Sequence, residues 1–282
     1  MFSAMNKYPI YVISKGRWEK PLTARALTRM GCDFYLVVEQ SESDLYEGIV
    51  PSDRLLVLPF SNLGMGSIPA RNWVWNHSLS NGDGRHWILD DNIEQFNRMN
   101  NNLQHRCNTP SYFLAMEEFV DRYENIALAG PEYDFFCKSR CAWPPFRLNT
   151  RIYSTILIKN DLPYRWRGKF NEDTDLSIRA LKDGHVNVLF LAFTQQKTQT
   201  MKMNGGNTDN VYNDGTDRLS FAESLVEQHP DCVKVTKKFN RWHHHVDYGA
   251  FKKNKLKRKS DWNYSGVNDF GMKLEPVNKL SK

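Results

Sequence analysis

This chain of 282 residues lacks several features that mark large functional classes. It has no apolar run of the ~18 residues that a membrane span needs, no internal repeat and no amino-terminal segment of the kind that directs secretion. Its five cysteines are an odd number and form no paired C-x-x-C motif. These absences argue against a disulfide scaffold, a zinc finger or a membrane protein, and we expect a reduced, cytoplasmic protein without a membrane partner.

The charge of the chain is unevenly distributed. The formal net charge is +6, and without one short segment the remainder is close to neutral. We call this segment the basic segment, and its basic residues are Lys252, Lys253, Lys255, Lys257, Arg258 and Lys259. Such a run is a solvated tail or helix face about as often as it is a polyanion-binding site. We predict one domain over residues 1–250 and a basic carboxyl-terminal extension over residues 251–282.

The pattern of apolar residues predicts an α/β fold. With 40% hydrophobic residues the chain can bury one large core. Apolar runs predict strands at 8–14, 33–39, 54–59, 86–89, 126–129, 152–158 and 186–193. Amphipathic stretches predict helices at 21–30, 44–48, 68–79, 111–123, 173–183 and 220–229. This alternation is typical of a Rossmann-like unit with a mainly parallel sheet flanked by helices, whose ligands bind at the carboxyl ends of the strands.

One such strand end carries Asp90, Asp91 and Asn92, directly after the apolar residues Trp87 to Leu89. Hard oxygen ligands at a pocket rim suit a hydrated Mg²⁺ or Mn²⁺ that bridges to a diphosphate. A helix amino-terminal cap explains the same residues equally well, because Asp and Asn are favoured at caps.

A second polar group lies at the start of the helix predicted over 173–183, where Glu172, Asp173 and Asp175 follow one another closely. Carboxylates at a helix start are stabilised by the helix dipole, so capping alone explains them. Together with the Asp-Asp-Asn strand end they suggest more. An enzyme that moves a sugar from a diphosphate needs a group to hold the leaving diphosphate and a carboxylate to deprotonate the acceptor hydroxyl.

Three motifs resemble, in order and spacing, those of the GT-A glycosyltransferases: SIPARN at 67–72, WILDDN at 87–92 and NED at 171–173. More narrowly, YVISKGR near the amino terminus, GGNTDNVYNDGTDR at 205–218 and the later RWHHHVDYGAFKKNK resemble the phage and TET-associated DNA glycosyltransferases. The resemblance extends to about Lys259. It implies a GT-A fold, a UDP-sugar donor, a divalent metal, inversion at the anomeric carbon, and an acceptor DNA that bears a hydroxymethylated pyrimidine, in the host cytoplasm if a phage encodes the chain.

The resemblance also implies roles for individual residues. Asp173 would be the general base and Glu172 would position the acceptor or the sugar. The nucleotide-sugar would contact Ser14, Arg17, Glu39, Arg71, Asp90 and Asp91. The metal would be held by Asp91, Asn92, His243 and His244. Ordinary alternatives stand beside three of these roles: a surface ion pair for Arg71, a solvated strand end for Glu39, and an exposed turn for the histidine run.

The basic segment, with Lys197 and Lys202, would follow a phosphate backbone, and residues 194–218 would form a loop over the donor. Two other functions stay open. One keeps the chemistry but takes a glycan, a lipid headgroup or a small metabolite as acceptor, and the other is a DNA-binding protein with a degenerate site. The sequence does not identify the sugar or the oligomeric state.

Overall fold

A computed structural model describes residues 6–139, 143–168, 170–198, 218–238, 240–261, 266–267 and 272–274. Its main feature is one ten-stranded sheet. The strands of this sheet are β1 (Ile10–Ile13), β2 (Tyr35–Glu39), β3 (Leu55–Leu58), β4 (Arg85–Asp90), β5 (Ile93–Asn100), β6 (Leu103–Arg106), β7 (Ile126–Tyr133), β8 (Phe146–Leu148), β9 (Thr155–Lys159) and β10 (Val186–Lys197). Two small hairpins follow, β11 (Val233–Lys238) with β12 (Arg241–Val246), and β13 (Gly266–Val267) with β14 (Lys273–Leu274).

The strand order is β3-β2-β1-β4-β9-β7-β10-β5-β6, and β8 pairs with β10. The first four strands in this order run parallel, and so do β7 and β10. β9 is antiparallel to both of its neighbours, and β5 is antiparallel to β10. The carboxyl ends of β1, β2 and β4 therefore meet at one edge of the sheet, where Ile13 pairs with both Val37 and Asp90.

Helices cover both faces of the sheet because side chains alternate along each strand. The α-helices of the described residues are α1 (Leu22–Met30), α2 (Ile68–Ser80), α3 (Ser111–Asp121), α4 (Glu172–Lys182) and α5 (Arg218–Gln228). On β1, Ile10 and Val12 share one core with α1 and α3. Tyr11 between them belongs to a second core on the other face, with α2 and α4.

The predicted α/β class, with a large and mostly parallel sheet flanked by helices, is confirmed. Two local predictions are wrong. The helix expected at 44–48 is a 3-10 helix over Gln40–Tyr46. The helix cap considered for Asp90 to Asn92 does not exist, since strand β5 begins at Ile93. This strand is mostly polar, and it pairs with β10 on one side and β6 on the other.

A third, smaller core joins α4, α5 and the β11–β12 hairpin, and it includes Phe251 just before the basic segment. The basic segment itself runs against the main domain: the backbone NH of Glu124 donates to the Lys257 carbonyl at 2.9 Å, and that of Lys259 donates to Arg122 at 3.0 Å. The boundary proposed after residue 250 stays a prediction.

Two further expectations concern the chain as a whole. No helix in the described part is long and apolar enough to cross a membrane. Four cysteines, Cys32, Cys107, Cys137 and Cys232, are free thiols, and Cys141 lies outside the described residues.

Candidate functional site

The carboxyl edge of β1 and β4 carries a buried polar group around Asp91. The Ser14 hydroxyl donates to Asp91 Oδ2 at 2.9 Å, and the Arg17 guanidinium forms an ion pair with Oδ1. Tyr46 braces both partners, since its hydroxyl lies 2.8 Å from Ser14 Oγ and accepts the Arg17 backbone NH at 3.0 Å. Burial raises the pKa of Asp91, and Arg17 and Ser14 oppose that shift. The structure therefore brings together three of the predicted nucleotide-sugar residues.

The neighbouring carboxylate, Asp90, points toward a different set of partners. Arg71 Nη2 donates to its Oδ1 at 3.0 Å, and Lys197 Nζ donates to its Oδ2 at 2.6 Å. Although burial opposes it, the two cations lower the pKa of Asp90 to about 2. Asp90 is thus a permanent anion that lies between a cation from α2 and one from the end of β10.

Ser154 organises the edge beneath Asp90. Its φ of 61° lies in the left-handed region, which residues other than glycine adopt at a cost. In this conformation the Ser154 carbonyl accepts the Asp90 backbone NH at 2.8 Å, while its hydroxyl accepts from Lys197 Nζ at 2.8 Å. The Tyr133 hydroxyl completes the chain, 2.8 Å from Ser154 Oγ.

Arg71 links the strand edge to helix α4. Its guanidinium lies 3.3 Å from Asp173 Oδ1 and 3.9 Å from Glu172 Oε1, in addition to the contact with Asp90. The Trp166 ring stacks below it, 4.5 Å from the guanidinium carbon. Only 5% of Arg71 is exposed, so the surface ion pair considered from the sequence is wrong. Its contact with a nucleotide stays a prediction.

Asp173 lies in the first turn of α4, after Asn171, whose left-handed φ of 57° turns the chain into the helix. Burial is the main cause that raises the pKa of Asp173 to about 7, with a contribution from the negative charges of Glu172 and Asp90, while Arg71 lowers it. Its Oδ1 accepts no hydrogen bond of good geometry in the described structure, despite the nearby Arg71. A carboxylate that titrates near neutrality is suited to general-base catalysis.

Asp175, two residues further along the helix, has a different environment. Arg167 and Arg179 form ion pairs with it at 3.0 and 2.8 Å, and His229 Nε2 lies 2.9 Å from its Oδ1. These contacts lower its pKa even though its side chain is fully buried. Asp175 thus connects the start of α4 to the loop before it, through Arg167, and to the end of α5, through His229.

Glu39, at the end of β2, is more than a solvated strand end. It accepts hydrogen bonds from Lys15 Nζ at 2.8 Å and from the Asn62 backbone NH at 2.9 Å. These contacts hold the loops after β1 and β3 beside the Ser14–Arg17 pair. Its role toward a nucleotide stays a prediction.

The predicted metal ligands are only partly assembled. Asn92 Oδ1 is buried without a hydrogen-bond partner in the described structure, as an open ligand atom would be. The carboxylates of Asp90 and Asp91, however, already bind Lys197, Arg71 and Arg17, so a divalent ion would meet these cations at the same oxygens. The described ranges contain no group of three His, Cys, Asp or Glu side chains able to hold a metal. In this arrangement the residues do not fit a divalent ion.

His243 and His244 lie on β12 and line a cleft next to Tyr133 and Tyr153. Burial and the neighbouring charge of Arg151 lower the pKa of His244 to about 4, so this imidazole is neutral. The exposed turn considered for the histidine run is wrong, because these residues form a paired strand. Their role as metal ligands stays a prediction.

The later part of the basic segment, from Lys255 to Lys259, lies far from these carboxylates. Its contacts with residues 122–125 are at the amino end of β7, whereas Tyr133 is at the carboxyl end. β7 has 8 residues, so at about 3.3 Å per residue roughly 26 Å separates the two places. The predicted DNA contacts from Lys255 to Lys259 therefore lie outside the carboxylate site.

Sequence reasoning did not identify several residues of this site, namely Tyr133, Ser154 and Trp166. Lys197 was assigned to a phosphate backbone, whereas it binds Asp90 and is only 15% exposed. The position of Lys197 at a strand end could have indicated its place in the site. The strand was predicted to end four residues earlier, at 193. Lys202, the GGNTDNVYNDGTDR motif up to residue 217 and most of the expected loop lie outside the described residues.

The arrangement can hold an anion at the Ser14–Arg17 edge and accept a proton at Asp173 beside it. A family model described as TET-Associated Glycosyltransferase matches residues 8–206 of this chain. A crystal structure described as that of a nucleotide-diphospho-sugar transferase from Desulfovibrio desulfuricans G20 is similar to this chain, with 12% identity and a TM-score of 0.40. The match covers 70% of this chain and 84% of that chain. No curated protein matches the chain.

Proposed function

Since this chain belongs to the TET-associated glycosyltransferase family, we propose that it moves a sugar from a UDP-sugar to 5-hydroxymethylcytosine in DNA, or to a sugar already attached there. The family supports sugar transfer. The observation that supports sugar transfer at this site is the environment of Asp173. The pKa of this carboxylate is raised to about 7, and it lies beside the charged side chains of Arg71, Asp90 and Lys197.

The donor is proposed to bind at the carboxyl ends of β1, β2 and β4. Parallel strands of an open sheet bind nucleotides at this edge, and Ser14, Arg17 and Glu39 lie there. The Arg17 guanidinium offers a fork that suits phosphate oxygens. Asp91 neutralises Arg17 and keeps it in place until the diphosphate binds.

The proposed reaction is a direct displacement. Asp173 accepts the proton of the acceptor hydroxyl, and the hydroxyl oxygen forms a bond to the anomeric carbon. The bond between that carbon and the diphosphate oxygen breaks, and the nucleoside diphosphate leaves with the electron pair. A single displacement inverts the anomeric centre. Lys197 and Arg71 hold Asp90 in place. Their positive charges also lower the pKa of Asp173 and so limit the effect of burial.

A requirement for Mn²⁺ or Mg²⁺ stays a prediction, and no step above is assigned to a metal. It is measured by calorimetric titration of metal-stripped protein with MnCl₂ in the presence of UDP. Heat that saturates at one ion per chain, and that disappears in Asn92→Leu, would support a metal held at the strand end. The absence of binding heat at millimolar MnCl₂ would remove the metal from the proposal.

DNA as acceptor is supported by the resemblance and by the exposed lysines of the basic segment. Deletion of the segment is a poor test, because its backbone forms hydrogen bonds with Arg122 and Glu124. Substitution of the exposed Lys252, Lys253 and Lys257 by Gln keeps these bonds. If all three contact phosphates, the slope of log Kd against log salt for single-stranded DNA becomes shallower by about 2. An unchanged slope would show that the segment does not contact DNA.

The test of the whole proposal is mass spectrometry of nucleosides from hydroxymethylcytosine-containing DNA incubated with the protein, Mn²⁺ and a panel of UDP-sugars. We expect a mass gain of one sugar residue that is missing with Asp173→Asn. Donor hydrolysis without any mass gain in DNA would instead favour the second candidate, a glycan or small-molecule acceptor.

A further inference from the structure

A cleft of about 370 Å³ opens at the carboxyl end of β7, and in the sheet β4 and β9 separate this strand from β1, which precedes Ser14 and Arg17. Its walls come from the carboxyl end of β7, from the segment that follows β8, and from the β11–β12 hairpin. Its volume lies in the range of roughly 300–1,000 Å³ that is usual for ligand sites. None of the residues that we assign to the donor lines it, so the cleft is available to a second ligand.

We propose that this cleft is the acceptor subsite and that it holds one nucleotide displaced from the base stack of DNA. The base lies against Phe136, and the adjoining phosphates lie near Arg147, Arg151 and Lys238. This inference rests on the proposed function, since it identifies where the DNA acceptor of the same reaction binds.

Aromatic side chains at the mouth of the cleft form a stacking surface. Phe135 and Phe136 are 56% and 50% exposed, and the Phe135 ring stacks on Tyr133 at 5.4 Å with an interplanar angle of 10°. Tyr133 in turn stacks on Tyr153 deeper in the cleft. Exposure of neighbouring aromatic rings to water is unfavourable in the free protein, and such surfaces often mark a binding site. Unstacked bases bind well to rings of this kind.

The charge of the cleft suits an anion. Arg147 and Lys238 are exposed at its walls, and Arg151 lies deeper, with its guanidinium 4.8 Å from the Tyr153 ring. Among the described residues that line the cleft, the one acidic side chain is Glu132, whose pKa is raised by burial. His244 also lines the cleft, and its ring nitrogens can form hydrogen bonds to a base edge. Three cations therefore face one weak acid.

Two tyrosines connect the cleft to the site of the reaction. The Tyr133 hydroxyl reaches Asp90 through Ser154 and Lys197, at 2.8, 2.8 and 2.6 Å. The Tyr153 hydroxyl lies 3.3 Å from Thr174 Oγ1, and Thr174 follows Asp173 in α4. The side chains of Tyr133 and Tyr153 thus lead from the cleft toward Asp90 and the start of α4, and we place the acceptor hydroxyl at this end of the cleft. A base inside a duplex cannot reach this depth, which is why the nucleotide must be displaced or single-stranded.

The cleft differs from the basic segment in position, so the two can be tested separately. The segment begins next to the cleft, where the Asn149 side chain donates to the carbonyls of Phe251 and Asn254 at 3.0 Å. It then runs to the amino end of β7, away from the carboxylates. We assign the reacting nucleotide to the cleft and leave only flanking phosphates to the segment.

The test is fluorescence anisotropy with a labelled single-stranded oligonucleotide that contains one hydroxymethylcytosine, without donor. The cleft variant is Arg147→Glu with Lys238→Glu. The control, Arg106→Glu with Lys237→Glu, makes the same reversal of two charges at exposed residues outside the cleft. Lys237 is the neighbour of Lys238 on β11. We expect Kd to rise at least tenfold in the cleft variant and less than threefold in the control. Thermal melting shows that both remain folded, and UDP affinity stays at the wild-type value in both.

A second probe isolates the base. Wild-type protein should bind an abasic oligonucleotide about tenfold more weakly than the hydroxymethylcytosine one. In Phe136→Ala this difference should shrink to about twofold, because the stacking partner is gone. Equal Kd values for the cleft and control variants, or an abasic oligonucleotide that binds like the intact one, would overturn the assignment. Because no donor is present, these results are independent of sugar transfer, whose failure would be seen in the mass spectra.

Discussion

Two charged clusters meet in the first turn of helix α4 and differ in the balance of their charges. The Asp173 cluster contains Arg71, Asp90, Glu172, Asp173 and Lys197. The Asp175 cluster contains Arg167, Asp175, Arg179 and His229. Both aspartates are largely buried, at 15% and 0% side-chain exposure. Yet the pKa of Asp173 is raised to about 7, whereas that of Asp175 is lowered.

Burial acts to raise the pKa of both carboxylates, and the surrounding charges and hydrogen bonds decide the direction of the final shift. Around Asp173, three carboxylates share two cations, and the like charges of Glu172 and Asp90 add to the effect of burial in raising the pKa of Asp173. Around Asp175, one carboxylate has two arginines and a histidine. A surplus of negative charge in a partly open site is what a general base needs, and an excess of cations is what a helix anchor needs.

The largest effect expected from this comparison is on catalysis. Asp173→Asn removes the proton acceptor, and we expect kcat for sugar transfer to fall by about 10³-fold. Asp175→Asn removes an acid of the same size two residues away, and we expect kcat per folded molecule to stay within about threefold of wild type. Steady-state transfer rates on hydroxymethylcytosine DNA measure both. A similar loss in the two variants would contradict the separate roles.

Stability should respond in the opposite order. Asp175→Asn leaves Arg179 buried without its anion, and breaking a buried pair in this way costs about 3 kcal/mol. For a chain of this size the melting temperature then falls by roughly 6–12 °C. Asp173→Asn should lower the melting temperature less. The variant loses the contact with Arg71, but it no longer buries the negative charge of Asp173. Differential scanning calorimetry at pH 8 compares them, and an equal decrease in both would show that Asp173 is structural too.

The chemistry-bearing residues of the Asp173 cluster could be predicted where they end an apolar run or begin a helix. Asp90 follows a buried strand, and Asp173 follows a turn before an amphipathic helix, so periodicity alone places both at a boundary. The α/β alternation then places the end of β4 at the binding edge. These are local signals, and they were sufficient for the fold class and for the candidate carboxylates.

The partners of these carboxylates could not be predicted in the same way. Lys197 and Ser154 reach Asp90 from β10 and from the loop before β9, more than 60 residues away in the sequence. Their proximity depends on a strand order in which β9 and β7 separate β4 from β10. The β5–β6 and β11–β12 hairpins were missed because polar and charged residues outnumber the apolar ones on them. The cleft and its tyrosines follow from that topology.

The smallest expected effect is a shift of the pH profile, and it tests the charge count directly. As a base, Asp173 must be ionised, so kcat/KM should fall about tenfold per pH unit below its pKa near 7. Glu172 contributes a like charge that raises this pKa. Glu172→Gln removes it, so the Asp173 proton is lost more readily and the acid limb moves to lower pH. Relative to its own plateau, the variant should be several-fold more active than wild type at pH 6.

Glu124→Gln is the matched control, because it removes the same charge from an exposed residue at the amino end of β7, and its limb should coincide with that of wild type. The measurement is kcat/KM for the DNA acceptor between pH 5.5 and 8.5 at constant ionic strength, each profile normalised to its plateau. A limb that stays in place in Glu172→Gln would mean that burial alone sets the proton affinity of Asp173. The contrast with Asp175 would then rest on the arginines of the Asp175 cluster and not on the surplus carboxylates around Asp173.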